Sequence, residues 1–432
     1  MYKNLRMKSI FNMDFAIKEI KAREILDSRG NPTIEVEMRC GKSVAIASAP
    51  SGASKGKNEA VEIRGGKEFH GKSVEMAIEN VNKMIAPALK GMDVREQEEI
   101  DRKLIAIDGT KNKSLLGGNA CIAVSMATAR CAAMAEEKEL YEYLNSNAKL
   151  LPIPFLNIIN GGMHAGNDLD IQEHMVAPIK AASFKETIKM ACETYYSLKE
   201  IIESEYGKNA INVGDEGGFA PPLKSSYDAL ELIMKAIEEN GYENEVKLAI
   251  DSAASSFYDG TFYKIEGRKM EDELIDFYIE LASTFPIVSI EDAFHEEDWD
   301  RFAELTRRIG NKVQIVGDDV FVTNPKRLKK GIKKKACNAL LLKPNQIGTI
   351  TEAIEVAKLC KAGNYSIMVS HRSGDTCDDF IADLAVALEA GQIKAGAPAR
   401  GERVAKYNRL IKIEEEMERK EYAGRRWKKW GL

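Results

Sequence analysis

Five apolar runs in the second half of the chain each lead to a side chain that can do chemistry. These residues are Asp251, Glu291, Asp318, Lys343 and His371, at intervals of 40, 27, 25 and 28 residues. After the first interval, each spacing is close to one strand-plus-helix unit. The carboxyl ends of parallel barrel strands meet on one face, where barrel enzymes hold their reacting groups. The spacing therefore predicts a single site built from five strand ends.

Three of these strand ends are carboxylates, those of Asp251, Glu291 and Asp318. Brought together without a cation they would repel, and the pKa of at least one would rise. Oxygen donors without His or Cys partners favour Mg²⁺ over zinc or copper. One such aspartate would more often cap a helix or pair with an arginine, but three on consecutive strands favour a magnesium site. The neighbouring Asp292 and Asp319 are interpreted as supporting or structural residues.

Lys343 ends the apolar run "ALLLK". A divalent cation nearby and desolvation would both destabilise its ammonium form, which suits a general base. The alternative is a lysine that merely pairs with one of the acids. The residues alone leave both interpretations open.

The stretch "SHRSG" places Ser370, His371, Arg372 and Ser373 where a strand leads into a helix. Arginine recognises phosphate with two parallel hydrogen bonds, and N–H groups at a helix start add to an anion site. The stretch therefore indicates a phosphate site. Lys394 lies in "GQIKAGAPARGER", where small neighbours permit close approach of a ligand.

Two glycine-rich stretches carry further polar candidates. "NVGDEGGFAPP" holds Glu216, and "NIINGGMHAGNDLDIQEHM" holds His164, Gln172 and Glu173. The glycines suggest loops that move, and a flexible carboxylate suits an acid that must reach a substrate. His174 is interpreted as structural. Together, bound Mg²⁺, a strand-end lysine, a loop acid and a phosphate site predict removal of a proton α to a carboxylate, with the metal stabilising the enolate.

The elements that must position these residues alternate between strands and helices. The predicted strands are "VKLAID", "IVSIED", "VQIVGDD", "ALLLKPN" and "SIMVSHRS", and amphipathic segments such as "YDALELIMKAIEEN" and "ITEAIEVAKLCK" separate them. Continuous apolar strands alternating with helices are typical of a parallel sheet covered on both sides. Repeated this often, the pattern predicts a barrel.

The first part of the chain has a different sequence pattern. An alternating pattern predicts a β meander, and three helical patterns follow, so residues 14–145 are predicted to form an α+β domain and 146–432 the barrel. "PSGASKGKNEA" is predicted to be a mobile surface loop, and "LPIPF" a linker. Residues 1–13 are predicted to be a flexible extension, with a transit-like leader or a misassigned start as alternatives.

Composition excludes several classes of protein. Lys+Arg 62 against Asp+Glu 67 gives 62 − 67 = −5, and no basic patch indicates a nucleic-acid or membrane partner. The seven scattered cysteines lack CxxC spacing, which argues against a disulfide framework or a zinc site. No apolar stretch is long enough to span a membrane. We therefore expect a cytoplasmic protein, with a secondary presence at the cell surface left open.

Eleven ordered motifs between about residue 20 and residue 416 resemble the enolase family. They are "DSRGNPTIEVE", "PSGAS", "NGGMHAG", "QEHM", "GDEGGFAP", "SIEDAF", "GDDVFVTNP", "LLLKPNQIGT", "MVSHRSGDT", "GQIKAGAPAR" and "ERVAKYNRLIKIEEE". The resemblance implies an irregular TIM-type (β/α)8 barrel with an antiparallel element near its start, after a smaller α+β domain. It also implies reversible dehydration of 2-phosphoglycerate to phosphoenolpyruvate, a hydro-lyase reaction.

The resemblance also implies roles for individual residues. Lys343 would take the C2 proton, and Glu216 would protonate the departing hydroxyl. Two Mg²⁺ ions are implied, one on Asp251, Glu291 and Asp318 and one closed over by Ser54. The remaining substrate contacts would come from His164, Gln172, Glu173, Ser370, His371, Arg372, Ser373 and Lys394. A homodimer or an octamer of dimers is the implied assembly.

Two alternatives remain beside this interpretation. One is an acid-sugar dehydratase of the wider superfamily, which the phosphate signal at Arg372 and the "PSGAS" loop disfavour. The other is a non-catalytic binding protein that keeps the fold, which the presence of every proposed ligand and catalyst disfavours. The sequence departs from the family's usual residues at Lys55, Ser256 and Ala293. These departures affect the expected closure of the loop and the tuning of the site, not its reaction.

Overall fold

The structure of the chain is a computed structural model that describes residues 14–52, 56 and 58–425. The predicted extension at 1–13 lies outside the described residues, and so do Ser54 and Lys55.

The N-terminal part begins with the predicted meander. Strands β1 (Ile17–Leu26), β2 (Pro32–Cys40) and β3 (Ser43–Ser48) pair antiparallel in chain order. The turn between β1 and β2 is held by Asp27, whose Oδ1 accepts hydrogen bonds from the N–H groups of Arg29 and Asn31, both at 2.9 Å. Gly30 adopts a φ of 69° there, a conformation that favours glycine.

Helices cover one face of the meander. They are α1 (Glu75–Asn80), which continues through a π-helical turn into α2 (Ala86–Leu89), then α3 (Gln97–Asp108), α4 (Gly118–Ala135) and α5 (Leu140–Leu144). The last of the three predicted helical patterns, the alanine-rich "NACIAVSMATARCAAMAEEKELYEYL", is interrupted. Glu137 adopts a φ of 55°, which a continuous helix does not permit, so α4 and α5 are separate.

The second part of the chain forms a closed eight-stranded barrel. In chain order, the strands of this part are β4 (Leu150–Leu151), β5 (Ile153–Asn160), β6 (Glu173–Pro178), β7 (Val246–Asp251), β8 (Tyr263–Ile265), β9 (Arg268–Met270), β10 (Ile287–Glu291), β11 (Gln314–Gly317), β12 (Ala339–Leu342), β13 (Ser366–Ser370), β14 (Gly391–Lys394) and β15 (Glu421–Tyr422). The barrel order is β10-β11-β12-β13-β14-β5-β6-β7. Two short pairs, β4 with β15 and β8 with β9, lie outside it.

The barrel is irregular in the predicted way. Strand β6 runs antiparallel to both of its neighbours, β5 and β7, while the other barrel pairs are parallel. The described helices around it are α6 (Phe184–Tyr206), α7 (Ser226–Glu239), α8 (Glu273–Thr284), α9 (Trp299–Ile309), α10 (Pro325–Lys334), α11 (Pro344–Ile347), α12 (Ile350–Ala362), α13 (Phe380–Ala387) and α14 (Gly401–Glu416). The predicted fold class is therefore confirmed.

The prediction of a linker at "LPIPF" was wrong. Residues Ile153–Asn160 form barrel strand β5, and every one of them is buried. Pro154 pairs with Ile393 of β14 and precedes the stretch of β5 that pairs with β6, which starts at Leu156, so its missing N–H interrupts no hydrogen bond to β6.

The N-terminal part contacts the barrel close to the face where the parallel strands have their carboxyl ends. The backbone of Ser51 exchanges hydrogen bonds with Gly374, at 2.6 and 2.8 Å, and the N–H of Ser28 donates to the carbonyl of Asp375 at 2.8 Å. The buried Asp101 of α3 accepts a 3.0 Å hydrogen bond from the N–H of Thr351. These contacts bring the segment after β3 to the rim of the barrel. No helix among residues 14–52 and 58–425 has the length and apolar character to cross a membrane.

The buried His174 on β6 supports a prediction about stability. Its side chain is fully buried, and this burial lowers the pKa of His174 from 6.5 to about 4, against the opposing effect of a backbone hydrogen bond at Ile159. Because the unfolded chain takes up the proton at a higher pH than the folded one, the stabilising contribution is present above pH 6.5 and is lost as the pH falls towards 4. We expect this residue to account for about 2 kcal/mol of stability lost between about pH 7 and about pH 5.

Urea unfolding at the two pH values checks this prediction. In His174→Phe, the loss of unfolding free energy on acidification is expected to be smaller than in the wild type by that amount. The exposed His70 provides the matched control, and His70→Phe should behave as the wild type. Equal pH dependence in the wild type and in His174→Phe would contradict the assignment.

Candidate active site

The chemically capable strand ends meet in one pocket. A cavity of about 300 Å³ opens at the carboxyl ends of the parallel barrel strands, and Gly52 and Gly56 of the N-terminal part reach its rim. Twelve of the predicted site residues line it, namely His164, Gln172, Glu173, Glu216, Asp251, Asp318, Lys343, Ser370, His371, Arg372, Ser373 and Lys394. Glu291 lies behind them, fully buried, and Ser54 is outside the described residues.

Lys394 is the centre of the acidic side of the pocket. Its Nζ lies 2.9 Å from Asp251 Oδ2, 2.9 Å from Glu291 Oε1 and 3.0 Å from Glu173 Oε2. Burial lowers the pKa of Lys394, but these three carboxylates outweigh it and raise the pKa well above its usual range. One buried cation is thus shared by three buried acids.

The predicted magnesium ligands are divided between two lysines. Asp251 and Glu291 contact Lys394, whereas Asp318 pairs with Lys343. Two other sets of described side chains have their ligand atoms within 4.8 Å of one another. The first set is His164, Glu173 and Glu216, and the second is Asp292, Asp318 and Asp319.

The donor set nevertheless suits a divalent cation. Glu291 Oε2 is buried and has no hydrogen-bond partner among the described residues. Burial, followed by the charge of Asp251, raises the pKa of Glu291 well above its usual range. A buried group of anions whose remaining oxygen lacks a partner is the kind of site that a cation stabilises. The acidic residues present therefore fit a hard metal ion.

Asp292 orients the neighbouring strand. Its two carboxylate oxygens accept hydrogen bonds from the backbone N–H groups of Asp318, at 2.9 Å, and Asp319, at 2.8 Å. Its own φ of 43° is unusual for a residue other than glycine. This geometry turns the chain after β10 so that the carboxylate can reach the end of β11, which agrees with the supporting role predicted for it.

Lys343 follows β12 and points towards the end of β11. Its ammonium group pairs with Asp318, and its N–H donates to Thr323 Oγ1 at 2.9 Å. Burial lowers the pKa of Lys343 as the sequence predicted, but Asp318 opposes this and the pKa is raised. Both interpretations drawn from the sequence therefore have a counterpart here, since the lysine is in the pocket and is also paired.

Glu216 lies among two histidines. Its Oε1 is 3.2 Å from His371 Nε2 and 3.7 Å from His164 Nδ1. Burial raises the pKa of Glu216, but the two histidines outweigh burial and lower it well below its usual range. The nearby Glu173 shows the opposite direction, because burial and then the charge of Glu216 raise its pKa. One proton is thus favoured on Glu173 and disfavoured on Glu216.

The glycines around Glu216 serve close packing. A Cβ at Gly214 would lie 2.4 Å from the carbonyl oxygen of His164, and one at Gly218 would lie 2.6 Å from Asn160 Oδ1. The carbonyl of Glu216 also accepts a 2.9 Å hydrogen bond from the N–H of Ala397. The glycine content that suggested a moving loop therefore has a second cause, which is contact with the barrel.

Arg403 organises the same side of the pocket and was not predicted. Its guanidinium is fully buried, with Nη1 2.6 Å from His371 Nδ1 and 2.7 Å from the carbonyl of Arg372, and Nη2 2.6 Å from the carbonyl of Ser373. Arginine can only donate, so His371 Nδ1 accepts and the ring proton is on Nε2, facing Glu216. Burial lowers the pKa of His371 to about 4, so this ring is neutral near pH 7.

Arg372 is held by a second unpredicted residue, Glu59. The Arg372 Nη1 lies 2.9 Å from Glu59 Oε2 and 3.3 Å from Asn345 Oδ1. Both Arg372 and Glu59 are buried. The signal that could have indicated Glu59 is its position in the stretch that follows "PSGAS", but its partner lies 313 residues further along the chain.

The family comparisons agree with this architecture. Residues 17–144 match the family model "Enolase, N-terminal domain", and residues 148–430 match "Enolase, C-terminal TIM barrel domain".

Curated relatives extend over nearly the whole chain. The chain is 57% identical to the enolase of Thermococcus gammatolerans over 411 residues, which is 94% of this chain and 96% of the relative. It is 57% identical to that of Pyrococcus furiosus over 423 residues, 96% of this chain and 98% of the relative. It is 55% identical to that of Methanocaldococcus jannaschii over 418 residues, with the same two shares. The chain therefore belongs to the enolase family, whose members are hydro-lyases known as phosphopyruvate hydratases.

Proposed function

We propose that this chain catalyses the reversible, Mg²⁺-dependent dehydration of 2-phosphoglycerate to phosphoenolpyruvate in glycolysis and gluconeogenesis. The observation that carries the proposal is the lining of one pocket by the half-buried amine of Lys343 and the buried carboxylate of Glu216, with an excess of acids between them. A lysine base with Mg²⁺ is the established pattern for enolisation in this superfamily.

Lys343 is the proposed base that removes the C2 proton. Its side chain is held by Asp318, and its backbone by Thr323, so the amine has a defined place in the pocket. Such fixed placement of a base contributes more to rate than its solution basicity does.

The proposed acid is Glu216 acting together with Glu173. Burial and then the charge of Glu216 raise the pKa of Glu173, whereas the pKa of Glu216 is lowered, so a proton held between the two carboxylates is favoured on Glu173. His164 Nδ1 lies 3.7 Å from an oxygen of each, and His371 presents its Nε2–H to Glu216. In the proposed reaction this proton is donated to the departing C3 hydroxyl, and Gln172 lines the same side.

The phosphate is proposed to bind at the end of β13. Arg372 supplies a guanidinium, and Ser370, His371 and Ser373 supply polar groups around it. Lys394 is proposed to meet the substrate carboxylate. Because Lys394 already contacts three acids, substrate binding would share an existing cation and would not bury a new one.

Asp251, Glu291 and Asp318 are the proposed ligands of one Mg²⁺, and Ser54 is the proposed contact to a second. When bound, Mg²⁺ would withdraw electron density from a substrate carboxylate and so make the adjacent C–H more acidic. The buried oxygen of Glu291 without a partner supports this ligand set.

The same proposal includes the domain division, the location and the assembly of the protein. We infer a division into an α+β domain at 14–145 and a barrel domain at 146–432. We infer a cytoplasmic enzyme. We also infer a homodimer or an octamer of dimers, with no nucleic-acid partner. The exposed apolar side chains Val44 and Ile46 of β3 agree with a covered surface.

Ultraviolet absorbance of phosphoenolpyruvate tests the function directly. Adding 2-phosphoglycerate and Mg²⁺ to the folded protein is expected to produce absorbance, and a chelator of divalent metal is expected to stop it. Non-phosphorylated acid sugars should give no product, since they bring no phosphate for Arg372 to bind. Turnover of an acid sugar would favour the alternative dehydratase, and silence with every substrate would favour a binding protein.

A further inference from the structure

Gln346 links the two ends of the pocket. It lies in α11, three residues after Lys343, and its side chain is almost completely buried. Its Nε2 lies 3.1 Å from Asp318 Oδ1 and 3.5 Å from Glu59 Oε1. A single amide thus touches the partner of Lys343 on one side and the partner of Arg372 on the other.

The orientation of this amide follows from its neighbours. Thr323 Oγ1 accepts the N–H of Lys343 at 2.9 Å, so its hydroxyl proton is free to donate. It lies 2.8 Å from Gln346 Oε1, which must therefore accept. The NH₂ group is then directed at the two carboxylates, and both can accept a hydrogen bond from it.

The backbone provides a second connection. The carbonyl of Gln346 accepts a 2.8 Å hydrogen bond from the N–H of Ala60, next to Glu59. Thr323 and its neighbour Val322 adopt φ values of 51° and 43°, which are strained for β-branched residues. Such strain persists where the surrounding structure enforces it, often at functional sites. Here it brings the Thr323 hydroxyl between Lys343 and Gln346.

We propose that Gln346 is a positioning residue that couples the Arg372–Glu59 pair to the Asp318–Lys343 pair. The proposal rests on the function proposed above, in which Arg372 meets phosphate and Asp318 meets Mg²⁺. Through this amide, a shift of Glu59 on phosphate binding changes the hydrogen bond that Asp318 receives. Phosphate and metal should consequently bind in an interdependent way.

Calorimetric titration of the metal-free protein tests the coupling without any turnover. Gln346→Met keeps the length of the side chain and removes both donors. We expect its affinity for Mg²⁺ to fall about tenfold, and its affinity for 2-phosphoglycerate in the presence of Mg²⁺ to fall by a similar factor. KM should rise with the dissociation constant of the substrate, whereas a change in kcat alone would not be explained.

Gln97→Met is the matched control. Gln97 also donates to a buried aspartate, with Nε2 3.1 Å from Asp101 Oδ1, but it lies in α3 outside the pocket. Both variants are expected to lower the melting temperature, and only Gln346→Met should weaken both ligands. A lower melting temperature with both affinities unchanged, or a loss of one affinity alone, would overturn the proposal. An inactive wild type would instead contradict the proposed function, so the two failures are distinguishable.

Discussion

Replacing Lys343 with alanine is expected to abolish exchange of the C2 proton of 2-phosphoglycerate with solvent. The pocket offers this amine beside Asp318, and the substitution removes it. The loss of a general base lowers the rate about a thousandfold. Nuclear magnetic resonance in deuterated water measures the exchange directly, and calorimetry should show that Mg²⁺ still binds, because the proposed ligands are intact.

Lys113→Ala is the control for this result. Lys113 is buried and, like Lys343, paired with a carboxylate, with its Nζ 2.6 Å from Glu352 Oε1, but it does not line the pocket. Its loss should lower stability and leave exchange at the wild-type rate. Exchange retained in Lys343→Ala would remove that lysine from the role of base and would leave the interpretation as a simple ion-pair partner.

Replacing Lys394 with methionine is expected to have the largest effect on stability. The substitution leaves Glu173, Asp251 and Glu291 buried without their shared cation. Removing one partner of a buried ion pair costs about 3 kcal/mol or more, since the remaining charge is uncompensated. Urea unfolding in the presence of a chelator should show this loss. Added Mg²⁺ should restore more stability to the variant than it adds to the wild type.

Lys406→Met tests whether the metal response is specific. Lys406 is equally buried, with Nζ 3.1 Å from Asp375 Oδ1, but it contacts one carboxylate outside the proposed metal site. Its variant should be destabilised with no additional response to Mg²⁺. If Lys394→Met is as stable as the wild type, or gains no more than Lys406→Met from Mg²⁺, the assignment of the acidic site is wrong.

The strands that could be predicted from the sequence are those with apolar runs on both faces. β7, β10, β11, β12 and β13 all lie where the runs indicated. β14 was not predicted, because Gln392 and Lys394 interrupt the apolar pattern. Inside the barrel Gln392 pairs with Gln314, at 2.8 and 2.7 Å, so a polar side chain can lie in the core when its partner comes from another strand.

The residues of the site can likewise be divided into those that the sequence predicts and those that it does not. Residues at strand ends, such as Asp251 and Lys343, could be predicted because topology alone brings them to one face. Residues that act through partners distant in sequence could not, because no spacing relates them. Arg403 and Arg372 are 31 residues apart, and Glu59 and Arg372 are 313 apart, yet both pairs are in direct contact.

The reversed direction of β6 has a consequence for how this pocket can change. An ordinary crossover would separate two neighbouring strands by a helix, whereas β5 and β6 are joined by a hairpin of residues 161–172. Both ends of that hairpin open at the mouth of the barrel, so His164 and Gln172 come from one short connection and Glu173 begins the strand that follows it. Because no α-helix separates the two strands, a change in the length of this connection would reshape the leaving-group side of the pocket directly.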